Sequence, residues 1–336
     1  MDRILLGLQA YFNSVGGQGV RVGALQPLSG GWETDVYAFA LYEGDALQQL
    51  VLRVYPAGES ALLRARNEFH VMTYLHGAGY PVPKVHRFEP DSVHLGGPFL
   101  IMERMPGVPL QSRLEEVPGS LTLFVRLLLD LHQVDWRPLV GKGLHWQTSV
   151  EAEATFGLEL LSATIEQYGF TEVFRPVQTW LADRRGQIEQ QPAVIHGDFH
   201  PLNILVTDAD EAAVIDWGSA AVADYRVDVA NAMIMAFVLG QPHLIPEILA
   251  GYEAAVGGPV QDLDYFQALI LTRRLSMMVI AMVHGAEACG LRAGTEVHLR
   301  QKTDVARMIL GFLTQLTGVT LPGLEPVLRQ FESIDA

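Results

Sequence analysis

His196-Gly197-Asp198-Phe199-His200-Pro201-Leu202-Asn203, with Ile215-Asp216-Trp217-Gly218 a short way on, is the stretch on which the reading of this chain turns. It sets out an aspartate, an asparagine five positions later and, after an apolar run, a second aspartate followed closely by a glycine. Phosphoryl transfer asks for that set of groups. One carboxylate orients the attacking hydroxyl, while an amide and another carboxylate hold Mg²⁺ against nucleotide phosphates. On this reading Asp198 accepts or orients the hydroxyl proton. Asn203 and Asp216 are oxygen ligands for a hard cation that takes one or two carboxylates plus phosphate oxygens. A lone Asp or Asn in a loop more often caps a turn; all three at this spacing point to chemistry.

The histidines allow a rival. His196, Asp198 and His200 alternate, so on an extended strand they would share one face, as zinc or iron ligands of a hydrolase would. That reading leaves Asn203 and Asp216 unexplained, and the remaining histidines are scattered along the chain. A supporting role, with His196 bonded to the loop backbone, accounts for more of the segment.

The rest of the composition narrows the classes. With 336 residues, 49% hydrophobic and 18% charged, the chain is expected to fold as a packed protein of two lobes. A single cysteine, Cys289, rules out an intramolecular disulfide and suits a reducing, cytoplasmic setting. The apolar stretch Ile4–Leu8 is too short for a secretory signal, and runs such as Ala230–Leu239 and Ser276–Val283 are shorter than a membrane span. The net charge of −15 disfavours nucleic acid and anionic membranes as partners. It would favour a cationic substrate or simply aid solubility.

Along the chain, Val20–Leu28, Val36–Leu41 and Gln49–Tyr55 read as strands, Ser60–Gly77 as a helix, and Phe99–Met102 as a buried strand. Together they make a small α+β lobe. Pro106-Gly107-Val108-Pro109 reads as a linker, after which the chain turns helical. Helices are expected at Leu121–Val134, Val150–Tyr168, Glu172–Gln190, Val227–Leu239, Leu244–Val256, Leu263–His284 and Thr295–Thr317. Brief strands at Ala193–Ile195, Ile204–Val206 and Ala213–Ile215 flank the opening segment.

His-Gly-Asp-x-His-x-x-Asn followed by Ile-Asp-Trp-Gly resembles the aminoglycoside phosphotransferase and choline kinase group, relatives of the protein kinases, over residues 22 to 285. The resemblance implies a bilobal α+β fold of the protein-kinase kind. Residues 1–105 would form the nucleotide-binding lobe, and residues 106–336 a helical lobe with the catalytic loop and acceptor site. It implies ATP or GTP as donor, Mg²⁺ as cofactor, and a small hydroxyl compound as acceptor: an aminoglycoside, macrolide, amino alcohol or sugar. By matched position Asp198 resembles the catalytic base, and Asn203 and Asp216 the metal ligands. Asp228, in Asp224-Tyr225-Arg226-Val227-Asp228, would cap or brace the loop. Ser29-Gly30-Gly31 resembles the nucleotide loop, whose backbone N–H groups face phosphate. Arg53 stands where kinases carry a strand lysine, with Glu68 as its partner, and Met102-Glu103-Arg104-Met105 matches the adenine-binding hinge. Arginine at position 53 also leaves open a nucleotide-binding regulator without kinase activity. For the acceptor, acids on the helices from Val150 onward (Glu151, Glu153, Glu159, Glu166, Glu172) would hold ammonium groups or merely face solvent. Arg273-Arg274 would suit an anion or pair with internal acids.

Overall fold

The computed structural model describes residues 2–15, 19–28, 33–140 and 150–331. Ser29, Gly30 and Gly31 lie outside the described residues, as do the side chains of Glu151, Glu153 and Phe156. The chain divides into two compact units. One comprises Met1–Glu116, Pro138–His145 and Pro201–Ala220; the other comprises Val117–Arg137, Trp146–His200 and Ala221–Ala336.

The first unit opens with helix α1 (Asp2–Val15), whose Leu8, Tyr11 and Phe12 recur at helical spacing and enter an apolar core. Strands β1 (Val20–Pro27), β2 (Asp35–Glu43) and β3 (Ala46–Val54) follow, then helix α2 (Glu59–Gly77) and strands β4 (Val85–Glu89) and β5 (Phe99–Glu103). The five strands form one antiparallel sheet in the order β1-β2-β3-β5-β4. Phe39, Leu41, Leu50, Leu52, Phe99 and Ile101 alternate along their strands to meet α1 in that core, as a period of two requires.

The segment read as a linker is partly strand. Val108–Pro109 forms β6, which pairs with β8 (Ile204–Val206), and β8 pairs in turn with β9 (Ala212–Val214). Gly107 makes this approach possible. Its φ is +114°, and a Cβ there would lie 2.5 Å from the Val206 carbonyl oxygen.

The second unit is mainly helical. Helices α3 (Ser120–Gln133), α4 (Val150–Gln167) and α5 (Thr171–Arg185) precede strand β7 (Pro192–Ile195). Strand β10 (Ala221–Asp224), which sequence pattern did not suggest, pairs antiparallel with β7. Helices α6 (Arg226–Val238), α7 (Ile245–Val256), α8 (Leu263–His284), α9 (Thr295–Arg300), α10 (Thr303–Thr317) and α11 (Leu324–Arg329) complete it.

The helix expected over Thr295–Thr317 is two. Lys302, at φ −116° and ψ 35°, leaves the helical region. The turn lets Leu299 on one piece and Ile309 and Leu313 on the other reach the same core. Helix α5 stops at Arg185, short of the expected Gln190, and the Arg226 guanidinium holds the Glu189 carbonyl oxygen of the following loop at 2.6 Å. Among the described residues only α8 is long and apolar enough to cross a membrane by length and composition, and 72% of that window is buried within the fold.

Candidate active site

In the first unit the site is built on a strand, a helix and a hairpin. Arg53, near the end of β3, is buried, and its Nη1 donates to Glu68 Oε1 at 3.1 Å and to Asp216 Oδ1 at 2.7 Å. Glu68, on α2, is only 1% exposed and also accepts a hydrogen bond on Oε2 from the Tyr55 hydroxyl. Burial works against the charge of Arg53, but Glu68 and Asp216 together hold its guanidinium protonated. Burial also raises the Glu68 carboxyl above its ordinary range, against the pull of Arg53 and Tyr55.

Asp216 and Asn203 occupy one end of the β8–β9 hairpin. The pairing of Ile204 with Val214 continues into a bond from the Ile215 N–H to the Asn203 carbonyl oxygen at 2.9 Å. Asp216 has left-handed backbone (φ 67°, ψ 61°), and its carboxylate is 45% exposed. That conformation is tolerated best by Asp and Asn among residues with a side chain. Trp217, fully buried, locks the turn by donating from its ring N–H to the Val214 carbonyl oxygen at 2.9 Å. A Cβ at Gly218 would lie 3.2 Å from Arg53 Nη2, so a side chain there would crowd the guanidinium. Asn67 of α2 ties down the end of the turn through the Ala220 carbonyl oxygen at 2.8 Å.

These residues fit Mg²⁺. The donors at the hairpin end are one carboxylate and one amide, hard oxygen ligands of the kind that ion prefers, and the Asp216 carboxylate already accepts from a cationic partner. Glu103, at the exposed end of β5, has its N–H taken by the Lys84 carbonyl oxygen at 2.9 Å. The Arg104 N–H is taken by Gln49 at 3.2 Å, so an adenine contact here would fall to other backbone groups of the segment.

In the second unit β7 runs into the loop that carries Asp198. Asp228, in the first turn of α6 and 0% exposed, accepts the His196 N–H at 2.7 Å and the Gly197 N–H at 2.8 Å. It therefore braces the loop, as its place before a helix suggested. The Asp198 N–H donates to His196 Nδ1 at 3.3 Å, which makes that nitrogen the acceptor of the ring.

Asp198 itself is gripped on both oxygens. Oδ2 lies 3.2 Å from His200 Nε2, and Oδ1 accepts from Arg274 Nη2 at 2.7 Å. The same Nη2 donates to Asn231 Oδ1 at 2.6 Å, and Asn231 reaches back to the Phe199 carbonyl oxygen at 3.4 Å. Burial would raise the Asp198 carboxyl. The His200 hydrogen bond and the positive charge of Arg274 outweigh it and hold the group well below the usual carboxylate range. His196 and His200 thus serve the loop and its aspartate. No three His, Cys, Asp or Glu side chains among the described residues are grouped to hold a metal.

Sequence reasoning missed Tyr55, Asn67, Asn231 and the destination of Arg274. Asn231 carried a signal: it is the one polar residue between Val229 and Val238. A buried amide in an apolar helix needs a partner.

A strand arginine paired to a helix glutamate, an aspartate–asparagine loop and a following Asp-x-Gly turn, on a sheet-rich amino-terminal part and a helical carboxy-terminal part, define a protein-kinase-like phosphotransferase fold. Residues 24–266 match the phosphotransferase enzyme family, and the chain belongs to it. Among solved structures, a thermostable mutant of aminoglycoside phosphotransferase APH(4)-Ia, in a ternary complex with AMP-PNP and hygromycin B, aligns with a TM-score of 0.61 at 18% identity, covering 90% of this chain and 98% of that one. A choline/ethanolamine kinase family protein from Mesorhizobium loti aligns with a TM-score of 0.56 at 18% identity, covering 98% and 97%. At these identities the likeness is one of fold. Acyl-CoA dehydrogenase family member 10 of Mus musculus is 28% identical over 251 residues, 67% of this chain and 22% of that protein. The chain spans about a quarter of the length of the curated relatives it matches.

Proposed function

We propose that the protein is a kinase that transfers the γ-phosphoryl group of ATP or GTP to a hydroxyl of a small substrate, with Mg²⁺ as cofactor. The observation that carries this reading is the buried bridge from Glu68 through Arg53 to Asp216. It places a permanent cation beside the carboxylate at the hairpin end, where phosphates and metal are handled in phosphoryl transfer. Residues 1–105 bind the nucleotide in this reading, with Arg53 on its phosphates. Ser29, Gly30 and Gly31, together with the segment around Glu103, complete the nucleotide contacts. Asn203 and Asp216 hold Mg²⁺, which when bound neutralises charge on the nucleotide phosphates. Residues 106–336 supply the catalytic loop and acceptor site.

Asp198, ionised and fixed by His200 and Arg274, accepts a hydrogen bond from the acceptor hydroxyl and orients it for in-line attack. A strongly acidic carboxyl is a weak proton acceptor. Its contribution is to position the hydroxyl and to take its proton late, as bonding to phosphorus develops. The likeness to an aminoglycoside phosphotransferase and a choline/ethanolamine kinase family protein supports a small hydroxyl compound as acceptor. The single thiol suits a cytoplasmic setting.

The test is nucleotide consumption with purified protein and Mg²⁺ against hydroxylated amines, macrolides, sugars and hydroxy acids, with product mass read for a phosphate adduct. Acceptor-dependent ADP or GDP release with an adduct is expected. Tight nucleotide binding with neither hydrolysis nor transfer across the panel would sink the kinase reading in favour of a regulator.

A further inference from the structure

We propose that Arg274 reads an oxyanion on the acceptor, so that the substrate is a hydroxyl compound carrying a carboxylate or phosphate close to the hydroxyl that is phosphorylated. The inference rests on the kinase reading of Asp198 and deepens it.

Arg274 lies on α8, and its side chain is 29% exposed. A guanidinium has five N–H donors in a fixed plane. Nη2 donates to Asp198 Oδ1 at 2.7 Å and to Asn231 Oδ1 at 2.6 Å, which uses both of its hydrogens. Among the described residues, Nη1 and Nε make no hydrogen bond to protein. Asn231, itself held by the Phe199 carbonyl oxygen, fixes the plane of the group. The result is a positioned cation with donors to spare, one hydrogen bond from the carboxylate that must meet the acceptor hydroxyl. A group that only needed to orient Asp198 would not require those donors at a partly open position. A planar fork offering N–H groups to solvent matches carboxylate and phosphate oxygens.

The surrounding charges agree. An ammonium close to the reacting hydroxyl would meet Arg274 as a like charge. Of the acids of α4 and α5 that would hold such an ammonium, those whose side chains are described are directed elsewhere. Glu159 is 63% exposed and lies 3.6 Å from Arg185, Glu172 is bonded to Arg175 one turn along its own helix, and Glu166 is exposed. They belong to the solvated faces of those helices.

The experiment compares matched acceptors: 3-hydroxybutyrate against 1,3-butanediol, and glycerol 3-phosphate against glycerol, with choline and ethanolamine as cationic hydroxyl compounds. ADP release and product mass are read for wild type, Arg274→Lys and Arg274→Met. Wild type is expected to favour the anionic member of a pair by about tenfold or more in kcat/KM. Arg274→Met should erase that ratio through KM, and Arg274→Lys should keep part of it. The two pairs separate carboxylate from phosphate.

A preference for the neutral or cationic compounds overturns the proposal. So does an unchanged ratio in Arg274→Met with kcat lowered for every acceptor, which would make Arg274 only a brace for Asp198. Calorimetric titration of the Mg²⁺–AMP-PNP-loaded protein with 3-hydroxybutyrate and with glycerol 3-phosphate gives a readout that does not depend on turnover. Binding of either anion that disappears in Arg274→Met supports the anion site, and binding of neither anion overturns it. Absence of a phosphate adduct with every compound would count against the kinase reading alone.

Discussion

Arg53 Nη1 stands 2.7 Å from Asp216 Oδ1 while also bonding Glu68 at 3.1 Å, so a single guanidinium nitrogen joins β3, α2 and the turn after β9. A lysine ammonium at this position would be a compact point charge without the planar fork that lets Arg53 press against Gly218. The arginine is therefore built into the local packing, and the glycine of the Asp-x-Gly turn is matched to it.

Replacing Arg53 by methionine leaves Glu68 as a buried carboxylate bonded to the Tyr55 hydroxyl and removes a cation from Asp216. Removing one partner of a buried pair costs about 3–5 kcal/mol. Urea denaturation of Arg53→Met should show a loss of that order, with a smaller loss for Arg53→Lys, which keeps the charge. Equal midpoints for wild type and Arg53→Met would mean that the bridge contributes nothing to stability.

Asp198→Ala is expected to lower turnover by about 10²–10⁴-fold while nucleotide affinity survives, because it removes the group that orients the hydroxyl and leaves the residues assigned to the phosphates untouched. The depressed folded pKa of Asp198 also sets a pH rule. A carboxyl whose pKa is lowered on folding contributes stability above its unfolded value of about 3.9, and the contribution is lost as pH falls through the folded value. Asp198 is thus ionised across the working range, and the wild-type pH–rate profile should show no acid limb from it above about pH 5. A limb near pH 6 that vanished with a change at Asp198 alone would contradict this assignment.

Much of the fold was legible because each element carried its own periodicity. Leu263–His284 was bounded correctly by its apolar spacing and the Gly285 that ends it. Asp198, Asn203 and Asp216 stand out in the sequence for a different reason, since phosphoryl transfer restricts residue types and spacing within one short stretch, and the roles proposed for them await the tests above. What escaped was decided by distant neighbours. Val108–Pro109 carries no strand pattern and becomes one only because β8 lies alongside and Gly107 lets the chains approach. Arg274 was ambiguous in sequence, since an arginine on a helix suits an anion or an internal acid equally well. That its partner is Asp198 follows from how α8 packs, a fact of tertiary structure alone.

Asp228→Ala should damage both stability and turnover. It removes the carboxylate that accepts the His196 and Gly197 N–H groups, and each buried donor left without a partner costs about 1–3 kcal/mol. Asp228→Asn keeps one acceptor oxygen and should fall between. If Asp228→Asn folds with wild-type stability and full turnover, the brace does not position Asp198. Stability from denaturation and kcat from the same preparations separate the two effects.

Cys289 should be nearly inert toward alkylating reagents. Its Sγ lies 3.3 Å from the Met277 carbonyl oxygen, and burial, which disfavours the charged thiolate, pushes the thiol up to about 11. Only the thiolate reacts, and a free cysteine has a pKa of about 8.5, so at pH 7.5 the folded protein should react with iodoacetamide roughly two orders of magnitude more slowly than the urea-unfolded chain. The rate should also keep climbing, about tenfold per pH unit, past the point where an ordinary thiol has levelled off. Equal rates folded and unfolded would show that Cys289 is neither shielded nor raised.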